Sequence, residues 1–139
     1  MMKFLIPILV ATMLSTTNLL VAQNTKTITV TVVNATSDTG KIGYALYTKD
    51  NFMGEPIQGK REKIVNGKST VVFENVVPGV YAVVCYHDKN NNKKMDFSDN
   101  GMPLEDYGAS NNVMAFAPPS FKNAKFMLKD KDLKLEIKF

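Results

Sequence analysis

From Leu133 to the last residue the chain alternates without a break. Leu133, Leu135, Ile137 and Phe139 are apolar, and Lys134, Glu136 and Lys138 between them are charged. Successive side chains of a strand point to opposite faces, whereas a helix needs apolar residues three and four apart. The segment therefore reads as a β-strand with one face covered. The same period recurs upstream. In Thr27–Val32, Ile28, Val30 and Val32 alternate with threonines, and in Ile42–Thr48, Ile42, Tyr44 and Leu46 share one face. Ser69–Phe73 follows Asn66-Gly67, a strong hairpin-turn pair. Val80–His87 is apolar on both faces and reads as a central strand entered through Pro78-Gly79. Ala124, Phe126 and Leu128 alternate with Lys125, Met127 and Lys129. No segment carries a 3.6-residue apolar stripe of helical length. Short strands separated by turn signals predict an all-β fold, an antiparallel β-sandwich of about seven strands.

Two connections interrupt the pattern. Residues 49–62 contain Gly54, Pro56 and Gly59, and residues 88–121 are richer still in Asn, Asp, Gly and Pro. The second is longer than compact domains usually carry without function or hidden structure. Val113–Phe116 is the stretch within it that reads as an edge strand.

The first residues follow a different logic. Lys3 precedes the mostly apolar Phe4–Leu14, polar residues 15–18 follow, and Ala22 offers a small residue for cleavage. This is the layout of a signal peptide, residues 1–22, in front of a single domain, residues 23–139. The apolar run is shorter than a membrane span, so no transmembrane segment is expected after cleavage. The expected location is outside the cytoplasm, periplasmic or extracellular. Removing Lys3 leaves 16 basic and 13 acidic residues, a net charge of +3. All of the excess lies in residues 122–139, where six lysines face three acids. That is a solvated strand edge rather than a nucleic-acid footprint, and there is no arginine cluster. One cysteine excludes an internal disulfide framework, and one histidine argues against a multi-histidine metal centre.

The long connection opens with the most specific feature of the chain. Asp88, Asn90, Asn92, Asp96 and Asp99 place oxygen side chains at positions 1, 3, 5, 9 and 12 of a calcium loop. Lys94 at position 7 offers its backbone carbonyl, and Met95 at position 8 suits packing against the domain. Alternate side chains of such a loop point inward, where their oxygens replace the water around a hard cation. Lys93 stands where glycine normally makes the sharp turn, and Asp99 is shorter than the usual bidentate glutamate. Three lysines (89, 93 and 94) offset the three aspartates. These departures weigh against calcium; if calcium binds, the affinity is expected in the weak range of extracellular modules, about 10⁻⁴–10⁻³ M. The favoured reading is a polar turn in which Asn and Asp bond to nearby amides.

Other candidates have less framing. Cys85 and His87 share one face of the predicted central strand, but no third group orients them as a nucleophile pair. They read as a small buried hydrophobe and a strand-end histidine. Tyr47, Phe52 and Tyr107 could stack on a sugar, although the chain has no tryptophan. No Gly-x-Ser-x-Gly elbow and no phosphate-binding glycine loop appears.

Four runs of residues complete the reading. Pro78-Gly79-Val80-Tyr81-Ala82-Val83 and His87-Asp88 through Asp96 are followed by Gly101-Met-Pro103-Leu-Glu105-Asp-Tyr107-Gly108-Ala-Ser110-Asn111-Asn112 and Phe116-Ala-Pro118-Pro119-Ser120-Phe121. This ordered set, covering about residues 27–139, resembles an uncharacterised bacterial family, domain of unknown function 2141. The family's usual Asn-Gly turn is replaced here by Asn92-Lys93. The resemblance implies an exported domain of immunoglobulin-like or transthyretin-like sandwich fold, and it implies no catalytic activity. Residues 88–121 are expected to fold back over one end of the sandwich, anchored by Tyr107, Phe116 and Phe121. They form either a self-packed Ω-type loop or a recognition surface of Glu105, Tyr107, Ser110, Asn111 and Asn112. The leading functional expectation is a non-enzymatic module that binds a partner or ligand, an unknown protein or glycan of the cell envelope, or stabilises an envelope assembly. A glycan-binding module is the alternative. A hydrolase would need His87 beside Ser110 or Ser120.

Overall fold

β-Branched and aromatic residues at every second position become the inward faces of two sheets. The computed structural model describes residues 24–114 and 116–139. The expected signal peptide, residues 1–22, lies outside the described residues.

Among the described residues, eight strands form a three-stranded and a five-stranded sheet. In the smaller one, β1 (Lys26–Val32) lies between β4 (Ser69–Val76) and β8 (Leu133–Ile137). In the larger one, β3 (Gln58–Glu62), β2 (Lys41–Tyr47) and β5 (Gly79–Asp88) lie side by side. The far side of β5 is shared: β7 (Phe126–Leu128) pairs with Gly79–Tyr81, and β6 (Tyr107–Ala109) pairs with Val84–Tyr86. The expected inward residues Ile28, Val30, Val32, Ile42 and Leu46 have no solvent exposure, and Tyr44 has almost none. They meet Phe73, Val83 and Ile137 in one core. One face of β5, with Tyr81, Val83, Cys85 and His87, is buried; on the other, Ala82 and Asp88 are buried, Val84 and Tyr86 half-buried and Val80 exposed.

The all-β sandwich is as expected, with four local differences. β8 runs parallel to β1, with Val30 opposite Leu135, while the other pairings are antiparallel. Period-two alternation is the same for either direction, so the direction follows from how the chain crosses between the sheets. β3 lies inside the connection 49–62; it is a polar edge strand without apolar alternation. Its Gln58 and Lys60 side chains donate to the Glu74 and Val72 carbonyls of β4 at 2.8 and 2.5 Å, covering groups that β4 would otherwise leave open. The edge strand described within 88–121 is Tyr107–Ala109; of the expected Val113–Phe116, residues 113, 114 and 116 lie in no strand and residue 115 lies outside the described residues. Finally, Ala124 ends a one-turn helix, α1 (Phe121–Ala124), capped by the Ser120 hydroxyl, although it still buries its methyl group in line with Leu128.

Gly108 makes the closure of this end possible. A Cβ there would stand 2.7 Å from both Ile137 Cγ2 and the Lys138 carbonyl, so only glycine lets β6 approach the end of β8.

Candidate functional site

β5 delivers Asp88 to the start of the loop, with its carboxylate fully buried. A buried carboxylate must be matched by donors or a counter-charge. Asp88 has both. Oδ1 accepts from the Asn92 amide at 3.0 Å. Oδ2 accepts from the Lys93 amide at 2.8 Å and from Arg61 Nη2 at 2.6 Å. Burial would raise the Asp88 pKa, but Arg61 and the two amides outweigh it and hold the carboxyl below its ordinary value. The same Arg61 nitrogen donates to Asn91 Oδ1 at 2.7 Å, so the guanidinium ties the first and fourth loop residues together.

The turn itself requires left-handed backbone. Asn91 has φ +57° and Lys93 has φ +68°. Lysine thus adopts the conformation that glycine usually supplies at this loop position, at a cost of roughly 1–2 kcal/mol. Gly40, with φ +73°, packs against the base of the loop, where a Cβ would lie 2.0 Å from the Asp88 carbonyl oxygen.

A second carboxylate gathers the amides. Asn90 Nδ2 donates to Asp96 at 2.6 Å, and Asn92 Nδ2 donates to both Asp96 oxygens at 2.8 Å. Lys94 joins through its own amide, which donates to Asn92 Oδ1 at 3.1 Å. Glu105 closes the loop from the other side: it accepts from the Lys89 amide at 3.0 Å and from the Asp96 amide at 3.2 Å. Of the six expected metal ligands, Asp88, Asn90, Asn92 and Asp96 are joined by these bonds, and Lys94 is adjacent. Asp99 stands apart at the exposed tip beyond the Phe97–Pro103 bridge. Among the described residues, no three His, Cys, Asp or Glu side chains gather around one point suited to a metal. A cation here would depend on amide and carbonyl oxygens as much as on carboxylates. It would also have to displace donors that already occupy Asp88. Arg61 has no counterpart in the loop spacing; its only sequence signal is that it is the sole arginine of the chain.

The rest of the long connection is pinned to the sandwich. Ser110 is buried; its Oγ accepts from the Val83 amide at 3.0 Å and donates to the Ala124 carbonyl. Asn111 donates to the Asn123 and Lys125 carbonyls at 2.9 and 2.8 Å. Asn112 donates to the Glu136 carbonyl and accepts from the Lys138 amide, each at 2.9 Å, completing part of the open edge of β8. Glu105, Ser110, Asn111 and Asn112 thus act as clamps to main chain; Glu105 and Ser110 are buried, while Asn111 and Asn112 are exposed. Phe121 packs as expected, edge-on to Phe52 at 5.6 Å, and Phe52 in turn meets Tyr47 at 5.5 Å. Tyr47 is therefore buried, while Phe52, engaged edge-on with both neighbours, remains half-buried. Phe116 is not an anchor: it is fully exposed. Phe97, Met102 and Leu104 are also more than half exposed. Phe97 and Leu104 line a shallow groove of about 460 Å³ with Lys89, Asn90, Asp96 and Glu105.

The lone thiol and imidazole lie elsewhere. Cys85 and His87 have no solvent exposure. Burial pushes the Cys85 thiol far above its ordinary range, and its Sγ faces the Gly108 carbonyl at 3.7 Å. His87 Nε2 meets the Thr39 carbonyl at 2.7 Å, and the ring stacks on Phe139. Ser110 and Ser120 are engaged with main chain, as clamp and helix cap, and neither pairs with His87.

A two-sheet β-sandwich that ends in an Asp/Asn loop, closed by an internal ion pair, defines the class of this molecule. The chain belongs to the family described as "Uncharacterized protein conserved in bacteria (DUF2141)", whose model matches residues 30–136. No curated protein and no solved structure matches it.

Proposed function

We propose that this protein is an exported, non-enzymatic module of the bacterial cell envelope that works by contact with an envelope protein. The observation that supports this reading is the construction of residues 88–121. Side chains inside the segment are spent on clamping it to the sandwich, while Phe97, Met102 and Leu104 are held outward, more than half exposed. Ordering a surface loop is entropically costly, and a rigid apolar tip recovers that cost when a partner covers it. Burial of the only cysteine and the only histidine is in keeping with a role that uses neither as a nucleophile or base.

Calcium enters the same reading as a weak modulator of the loop. The ion would take Asp88, Asn90, Asn92 and Asp96, with the Lys94 carbonyl, and Asp99 would have to swing in from the tip. Because donors already hold Asp88, the affinity falls at the weak end of extracellular calcium sites, about 10⁻³ M.

The test is fractionation of bacterial cells producing the full chain. Mass spectrometry should find the protein in the envelope, shortened by about the first 22 residues. The wild type should be retained with the insoluble envelope, and a Phe97→Ser, Leu104→Ser double variant should be released in soluble form. Cytoplasmic, unprocessed protein would defeat the export half. Equal retention of the folded double variant would defeat the contact half.

A further inference from the structure

We infer that Arg61 is the built-in cation of the Asp88 loop: its guanidinium occupies the charge position that a divalent ion would otherwise fill, and a metal enters only by displacing it. The inference rests on the calcium reading for its second clause alone.

The first support is geometric. Asp88 is fully buried, and its charge-neutralising contact is Arg61 Nη2 at 2.6 Å. The same nitrogen reaches Asn91 Oδ1 at 2.7 Å. A single positive group therefore joins the first carboxylate to the oxygen of loop position 4 and supplies at Asp88 the charge that a bound cation would supply through positions 1, 3 and 5. The second support is delivery. Arg61 comes from a different strand, β3, and stands opposite Gly43, which stands opposite Tyr86. The missing Cβ of Gly43 leaves room for the Tyr86 ring, which a methyl there would meet at 2.6 Å. The third support is the choice of residue. Among the 16 basic residues of the processed chain, this one alone is arginine. Both bonds leave one nitrogen, Nη2, whose two N–H groups serve the carboxylate and the amide oxygen, and a guanidinium is more weakly hydrated than a lysine ammonium, so it is brought beside a buried carboxylate at less cost. The neighbouring cation is already engaged: Lys89 Nζ lies 3.1 Å from Asp106.

The experiment compares the processed wild-type chain with Arg61→Gln and Arg61→Lys, in chelator and in millimolar calcium. Backbone hydrogen exchange is read at Asn92 and Lys93, whose amides bond to Asp88, with Val30 and Tyr44 in the core as folding controls. In chelator, the wild type should protect Asn92 and Lys93, and Arg61→Gln should exchange there about tenfold or more faster while Val30 and Tyr44 stay protected far above the unfolded-chain rate. Arg61→Lys should fall between them. Calcium should restore protection in Arg61→Gln, and that variant should bind calcium about tenfold more tightly than the wild type, because no internal cation competes. If Arg61→Gln unfolds in chelator, recovery of the folded state on adding calcium is the supporting result. Full protection of Asn92 and Lys93 in Arg61→Gln without metal overturns the inference. So does calcium affinity equal in wild type and variant, an outcome that leaves the calcium reading intact. Calcium bound by Arg61→Gln but not by the wild type supports the inference and removes calcium from the proposed function. Binding by neither protein overturns the calcium reading and the second clause with it, while the exchange rates in chelator still decide the first.

Discussion

Asp88 and Asp106 are the two carboxylates that their surroundings hold below the ordinary value, against the opposing effect of burial. For Asp88 the holding groups are Arg61 and the Lys93 and Asn92 amides; for Asp106 they are Lys89 and Thr36. A carboxylate whose folded pKa is depressed contributes stability that is present above its unfolded pKa and lost as pH falls through the folded one. Stability should therefore be nearly level from neutral pH to about pH 5, and then decline below about pH 4 as these two groups take up protons. Urea midpoints across that range check the sign. In Arg61→Gln the decline should be shallower, because the group that depresses Asp88 is gone; a slope identical to wild type would count against the pairing. At neutral pH the same variant should lose about 3 kcal/mol, the lower end for breaking a buried pair, since the Arg61 side chain is 24% exposed.

At the scale of elements, the long connection is held by short polar side chains that bond to the main chain of its neighbours. Ser110 is the most buried of them, linking the Val83 amide of β5 to the Ala124 carbonyl of α1. Ser110→Ala should leave both groups buried without partners and cost about 2–3 kcal/mol, with an unchanged denaturant dependence. A loss below about 0.5 kcal/mol would mean that these groups find other partners. The chain is legible here only in part. Turn-forming and capping residues are visible in the sequence, but Asn111 and Asn112 look the same whether they face solvent or grip a strand. What separates the two is the position of β8 and α1, and those arrive from later in the chain. β3 was hidden for a related reason: an edge strand of Gln-Gly-Lys-Arg-Glu has no apolar alternation to reveal it. The order of oxygens from Asp88 to Asp96 was readable, and the turn conformation it implies is present despite lysine at position 93. The guanidinium inside it was not readable, because Arg61 lies 27 residues upstream and reaches the loop across the sheet.

For the whole molecule, the sandwich encloses Cys85 in the strand that both β2 and β6 flank. A neutral thiol reagent should therefore label the native protein only as fast as β5 opens, and labelling in urea should rise in step with unfolding. Rapid labelling in native buffer would show that the β6 side of the sheet opens locally. The sequence by itself determined the class of fold and the inward faces of the main strands. Period-two alternation of Ile28, Val30 and Val32, of Tyr44 and Leu46, and of Leu133, Leu135 and Ile137 leaves one way to remove those side chains from water. Tertiary structure alone decided the parallel docking of β8, the inward use of Tyr47, and the entry of Arg61 into the Asp88 loop. Local pattern records which residues must leave water. Strand direction, and the partner that a buried charge finds, depend on contacts between segments far apart in the chain.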